Sequence, residues 1–196
     1  MINFIPPVMF AVSTTLTPGP NNFMLLNTGL HYGYKKGLPL YLGIVLGFPM
    51  MMLIIALGLG TLFTKFTWIE SILKIIGIIV MLYLASKIYH APTNEIDKKE
   101  KKPFNFFQAV AFQWANPKAW VMAVSATSIF DLSRNYFVNA LLISLIFLCA
   151  CTICNGAWIY LGKKLQRFLK TSHHQKRFNQ VMAVCLALSM VLMIFD

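Results

Sequence analysis

Two short stretches carry the groups best able to do chemistry. The first is Thr17-Pro18-Gly19-Pro20-Asn21-Asn22; the second is Gln113-Trp114-Ala115-Asn116-Pro117-Lys118. Each sets proline and amide residues inside a long apolar run. Proline has no N–H and clashes with the carbonyl four residues back, and it pushes the preceding residue out of helical geometry. Pro20 and Pro117 suit the first position of a new helix, with Asn116 as a cap before the second. Each run is therefore expected to be two half-helices. A restarted helix presents free N–H groups and a partial positive charge. Those of Asn21, Asn22 and Lys118 are expected to hold a carboxylate, while the freed carbonyls of Thr14 and Leu16 accept from an ammonium. The side chains of Asn21, Asn22, Gln113 and Asn116 add donors and acceptors. Such a set suits a small zwitterion, that is, an amino acid. The expected ligands are Thr17, Pro18, Gly19, Pro20, Asn21, Asn22, Gln113, Asn116, Pro117 and Lys118, with Asn155 as a secondary candidate.

Lys118 is the sharpest of these. A lysine at the centre of a membrane helix costs about 2.5–3.5 kcal/mol, so it needs a partner, a wet cavity or a function. The alternative is a lysine that snorkels or bonds backbone carbonyls. No Asp or Glu falls in the middle of any apolar run. That disfavours cationic substrates and divalent metals, and leaves no carboxylate proton relay. His31, His90, His173 and His174 read as loop residues without metal-ligand spacing. No cofactor or metal is expected.

The elements that must position these groups follow from composition. Of 196 residues, 58% are hydrophobic and 12% charged, against about 25% charged in an ordinary soluble domain; mean hydropathy is +0.66. The class is an all-α integral membrane protein, since open strands cannot satisfy their backbone in lipid. Six transmembrane helices are expected over roughly 5–29, 37–62, 67–89, 105–129, 136–161 and 179–195, the last being short. Helices 1 and 4 are the interrupted ones. Pro20 and Pro117 lie 97 residues apart, close to half the chain. The expected organisation is thus 1–90 as a first three-helix repeat, 91–104 as a charged cytoplasmic linker and 105–196 as a second repeat. Three spans per half make the repeats inverted, and matched breaks point to a transporter's substrate site.

The net charge of +11 does not indicate nucleic acid, because the basic residues fall in short runs between spans. Thirteen of them, Lys35, Lys36, Lys87, Lys98, Lys99, Lys101, Lys102, Lys163, Lys164, Arg167, Lys170, Lys176 and Arg177, fall on one side, against Lys65, Lys74 and Arg134 on the other. The positive-inside rule makes the first side cytoplasmic and puts both termini outside. The N-terminus, with four prolines and no basic region, does not read as a signal peptide. Gly43-x-x-x-Gly47 fits close helix packing; Trp68 and Trp158 fit interfacial anchoring. Cys151-x-x-Cys154 raises an alternative of another class, a membrane thiol–disulfide electron-transfer protein. Neither break contains a cysteine, which weighs against it.

The first break, the following Gly29-x-x-x-Gly33-x-x-x-Gly37 and the Asn116-Pro117-Lys118 triplet resemble the LysE/RhtB family of amino-acid exporters over essentially the whole chain. The stretches Cys154–Trp158 and Leu165–Arg167 look most like its cysteine/O-acetylserine branch, with the homoserine/threonine branch next. The resemblance implies a multi-pass carrier of the bacterial cytoplasmic (inner) membrane. It would export small neutral amino acids such as cysteine, O-acetylserine, homoserine or threonine in exchange for protons. A homodimer follows only by analogy. The missing intramembrane acid departs from the lysine-exporting branch.

Overall fold

A computed structural model describes residues 3–59, 67–90, 103–169 and 171–195. The linker residues 91–102 and residues 60–62 of the second expected span lie outside the described residues. Seven helices occur among those described. They are α1 (Ile5–Leu16), α2 (Pro20–Ile54), α3 (Thr67–Tyr89), α4 (Phe106–Ala115), α5 (Pro117–Ile129), α6 (Tyr136–Leu165) and α7 (Ser172–Phe195), with a π-helical turn, Ile55–Leu59, continuing α2.

Local sequence explains the boundaries. Thr17 (ψ 133°) and Gly19 (φ −173°) are extended, so α1 stops and α2 restarts at Pro20. The second break is a single residue, Asn116 (φ −93°, ψ 105°), between α4 and α5. Asn105 and Gln108 form a reciprocal capping box at the start of α4, satisfying two otherwise orphaned donors. Asn135 caps α6 by accepting from Val138 N at 3.1 Å.

The expected loop between the first two spans is a correction. It shrinks to Gly33, whose φ of 75° is readily available only to glycine. Residues 34–36 are already helical, so Lys35 and Lys36 stand on the second arm. Helix α2 is therefore two arms, 20–32 and 34–54, folded back on each other. A Cβ at Gly37 would lie 3.0 Å from Thr28 Cγ2, whereas nine residues of straight helix span about 13.5 Å. Two more boundaries move. Helix α7 begins at Ser172, not 179, which takes His173, His174, Lys176 and Arg177 into the helix; α6 runs to Leu165, taking in Lys163 and Lys164. His31 is not a loop residue either. It lies buried in the first arm of α2, with Nε2 3.1 Å from Asn179 Oδ1.

Close packing is set by glycines. A Cβ at Gly29 would strike the Ile159 carbonyl, and one at Gly162 the Leu26 carbonyl, so the first arm of α2 and α6 meet backbone to backbone. Gly43 and Gly47 do the same for the second arm against Phe106, Ala109 and Val110 of α4. The small-residue spacing read as a packing motif is one.

Polarity runs opposite to that of a water-soluble fold. Leu38, Leu42, Leu46, Met50 and Ile54 form an exposed apolar stripe, and Ile75, Ile79 and Leu82 another, while Asn22, Gln113, Asn116, Asn155 and Asn179 are buried. Such an outer surface suits hydrocarbon, and the inner amides hold helices together. By length and apolar content two helical stretches, Pro20–Gly58 and Tyr136–Leu165, could each cross a bilayer, and the chain reverses at Gly33 within the first of them.

Candidate functional site

The two breaks meet. Lys118 Nζ donates to Thr17 O at 2.6 Å and to Pro18 O at 3.4 Å. Its side chain passes so close that a Cβ at Gly19 would lie 2.8 Å from Lys118 Cδ. Glycine is needed there for space. Asn21 and Gln113 exchange two hydrogen bonds, Asn21 Nδ2 to Gln113 Oε1 at 2.8 Å and Gln113 Nε2 to Asn21 Oδ1 at 3.2 Å. Gln113 Nε2 also donates to Ala109 O, and the residue is fully buried.

Each break has a sealed carbonyl end. Asn22 Nδ2 donates to Thr15 O at 2.9 Å and Thr17 O at 2.8 Å. Trp158 Nε1 reaches Leu16 O at 3.3 Å, so Trp158 serves the break. At the second break Trp120 Nε1 donates to Trp114 O at 2.8 Å. Leu16 O is thus already engaged, contrary to its expected role as an open ammonium acceptor.

The N-terminal ends differ. Asn116 accepts from Lys118 N at 3.2 Å, so that N–H is capped and is not the carboxylate donor expected of it. Gly19 has no side chain to cap α2. Pro20 has no N–H, and Phe23 N is the first in α2 to find a backbone acceptor, Gly19 O at 2.9 Å. The N–H groups of Asn21 and Asn22 thus remain for a ligand at the positive end of α2.

These features surround a cleft whose space, open mouth included, is about 330 Å³. It is lined by Thr14, Thr15, Gly19, Pro20, Asn21, Asn22, Phe48, Asn116, Lys118, Ala119, Met122, Cys151 and Asn155. Of the residues expected from sequence, Gly19, Pro20, Asn21, Asn22, Asn116, Lys118 and Asn155 line it. Thr17, Pro18, Gln113 and Pro117 do not: Thr17 and Pro18 serve through their carbonyls, Gln113 braces Asn21, and Pro117 packs near Gly77 of α3, whose Cβ would lie 3.0 Å from Pro117 Cδ. Sequence reasoning missed the side chains of Thr14, Thr15, Phe48, Ala119, Met122 and Cys151. Thr14 and Thr15 were legible as the polar residues just before the break; Phe48 and Met122 carried no signal beyond apolarity.

Chemically the cleft offers one fixed cation, with a third Lys118 donor left after two carbonyl bonds, two free backbone N–H groups, amide and hydroxyl oxygens and an apolar wall. It can hold a small zwitterion. Cys151 and Cys154 are both unbridged. Cys151 lines the cleft, whereas Cys154 Sγ turns to Val12 O at 4.0 Å, and nothing here supports electron transfer between them.

Comparison with known proteins places these features in a family context. The model of the LysE type translocator family matches residues 12–195. The chain is 28% identical over 178 residues, 90% of each protein, to the cysteine/O-acetylserine efflux protein of Salmonella typhi, and to the same extent to that of Escherichia coli strain K12. No solved structure matches it.

Proposed function

Because the chain belongs to the LysE-type translocator family, we propose that it is a secondary transporter of the bacterial cytoplasmic membrane, not an enzyme. Its cargo is small neutral amino acids or their derivatives, which it carries out of the cell. Cysteine and O-acetylserine lead, after the relatives named for them, with homoserine and threonine next. The observation that carries this reading is the meeting of two helix breaks at one cleft, with Lys118 across the first break. The substrate carboxylate lies at Asn21 N, Asn22 N and Lys118 Nζ, and the small side chain against Phe48 and Met122. Among the described residues no acid lines the cleft, which fits neutral cargo.

The architecture we assign is six spans in two inverted three-helix repeats, 1–90 and 105–196, joined by a cytoplasmic linker, with both termini outside. Matching contacts support it. Span 2 packs on span 4 through Gly43 and Gly47, and span 5 packs on span 1 through Cys154–Val12 and Trp158–Leu16; exchanging the halves maps the one pair onto the other. Protons returning inward supply the drive. One charge crossing 100 mV is worth about 2.3 kcal/mol, enough for roughly a 50-fold gradient of a neutral solute. A homodimer in the lipid bilayer completes the proposal.

The test is overexpression followed by a survey of amino acids accumulating outside the cell and of toxic analogues that become tolerated. The reading expects cysteine, O-acetylserine, homoserine or threonine to rise outside. An unchanged external pool for all four would refute it.

A further inference from the structure

A zwitterion held by its carboxylate still has an ammonium to satisfy, three donors and no acceptor. The carbonyls freed at the first break look like the natural partners, but Asn22 Nδ2, Trp158 Nε1 and Lys118 Nζ already occupy those of Thr15, Leu16, Thr17 and Pro18, which leaves Thr14 O, whose helical donor Pro18 removes, at the edge of the cleft. Two other oxygens in the same cleft have no hydrogen-bond partner, Thr15 Oγ1 and Asn155 Oδ1. Both belong to buried residues, 5% and 2% exposed. They come from different elements, α1 and α6. The neighbouring Thr14 turns its hydroxyl back to Phe10 O at 2.6 Å, as helical threonines commonly do; Thr15 does not. Beside both is the Cys151 sulfur, toward which the Thr15 hydroxyl and the Asn155 side chain act as donors; that use of their hydrogens leaves the lone pairs of both oxygens open to a donor. A buried oxygen without a donor is costly and calls for a specific role.

We infer that Thr15 Oγ1 and Asn155 Oδ1 form the ammonium subsite of the cleft, so that the carrier selects amino acids with a free α-amino group and rejects their N-acylated or deaminated counterparts. This rests on the export reading above and deepens it. The Asn21–Asn22 N-terminus and Lys118 take the negative pole, the Thr15–Asn155 corner takes the positive pole, and the substrate's orientation is thereby fixed.

O-acetylserine and N-acetylserine make a sharp test pair, because they are isomers that differ in whether the amino group is free. The full-length protein is reconstituted in proteoliposomes loaded with one labelled isomer, at mildly acidic pH where the O-to-N acetyl shift is slow, and efflux is measured. Parallel vesicles hold cysteine, homoserine or threonine, and 3-mercaptopropionate serves as the deaminated control for cysteine. The wild type is expected to move O-acetylserine well ahead of N-acetylserine. In Thr15→Val and Asn155→Leu, each of nearly the same shape as the original, that ratio is expected to fall about 10- to 100-fold, the effect of losing a hydrogen bond to a charged group. Asn155→Asp, which keeps acceptor oxygens, is expected to retain the preference for the free amine. If the wild type moves none of the four amino acids, the export reading fails and this inference fails with it. If the wild type moves them and both Thr15→Val and Asn155→Leu keep the wild-type ratio, export stands and the ammonium subsite is overturned. Should one of these variants fail to fold, the other and Asn155→Asp still decide, since a loss of amine preference in Asn155→Asp would also contradict the assignment.

Discussion

At the scale of single residues, the proposed site depends on a lysine that tethers the first break and, in the proposal, also holds the substrate. Lys118 spends two donors on Thr17 O and Pro18 O and keeps one for the cleft. Lys118→Ala is expected to reduce export at least ten-fold while membrane insertion is unchanged, as read by efflux and by membrane-fraction immunoblot. Wild-type efflux from this variant would remove Lys118 from the site. The Asn21–Gln113 pair is a brace of a different kind. Gln113→Leu strands the Asn21 amide in a buried place, at a cost of about 1–3 kcal/mol, and is expected to lower the thermal midpoint in detergent. A midpoint equal to the wild type would show that the pair contributes nothing. Much of this level was legible in the sequence, because prolines within apolar runs announce exposed backbone groups. The Asn116 cap was legible too, as an Asn-Pro pair that restarts a helix, and Lys118 N is the group it caps. The occupation of Leu16 O by Trp158 was not, because that side chain arrives from 142 residues away, a place the local pattern does not specify.

At the scale of elements, glycines decide how near the helices come. Gly29 and Gly162 sit where a methyl group would meet backbone carbonyls of the facing helix, and such atoms cannot step aside as a flexible side chain can. Gly29→Ala is expected to separate the first arm of α2 from α6 and to lower the yield of folded protein, measured by size-exclusion of detergent extracts. Gly33→Ala poses a different problem, since nothing lies within 4 Å but φ is +75°. A backbone at φ 75°, ψ 176° is essentially reserved for glycine and costs another residue about 1–3 kcal/mol, which predicts a milder loss of thermal stability than for Gly29→Ala. The reverse order would contradict the packing described here. The sequence spacing of Gly29, Gly33 and Gly37 marked this region without revealing that the middle glycine alone turns the chain. Periodicity reports which face is apolar, and a one-residue reversal between two helices of similar composition barely disturbs it. The same blindness hid the early start of α7, whose first turn is polar and basic.

At the scale of the whole molecule, polarity is distributed inside out, with amides in the interior and apolar stripes outside. The fold class followed from composition alone, as so few charged groups could not clothe a soluble domain of this size. The proposed topology puts both termini outside, so a periplasmic reporter enzyme fused after Asp196 is expected to be active; activity of a cytoplasmic reporter there would reverse the topology. Replacing Cys149, Cys154 and Cys185 together by serine is expected to leave export within a few-fold of wild type, because none of them lines the cleft. Loss of function in that variant would favour the electron-transfer alternative. The central claim, that a small amino acid leaves the cell through the cleft where the two breaks meet, is tested most directly by efflux of labelled O-acetylserine and cysteine from proteoliposomes. Wild-type protein is predicted to release both and Lys118→Ala protein almost none; equal release by the two proteins, or no release by either, would contradict it.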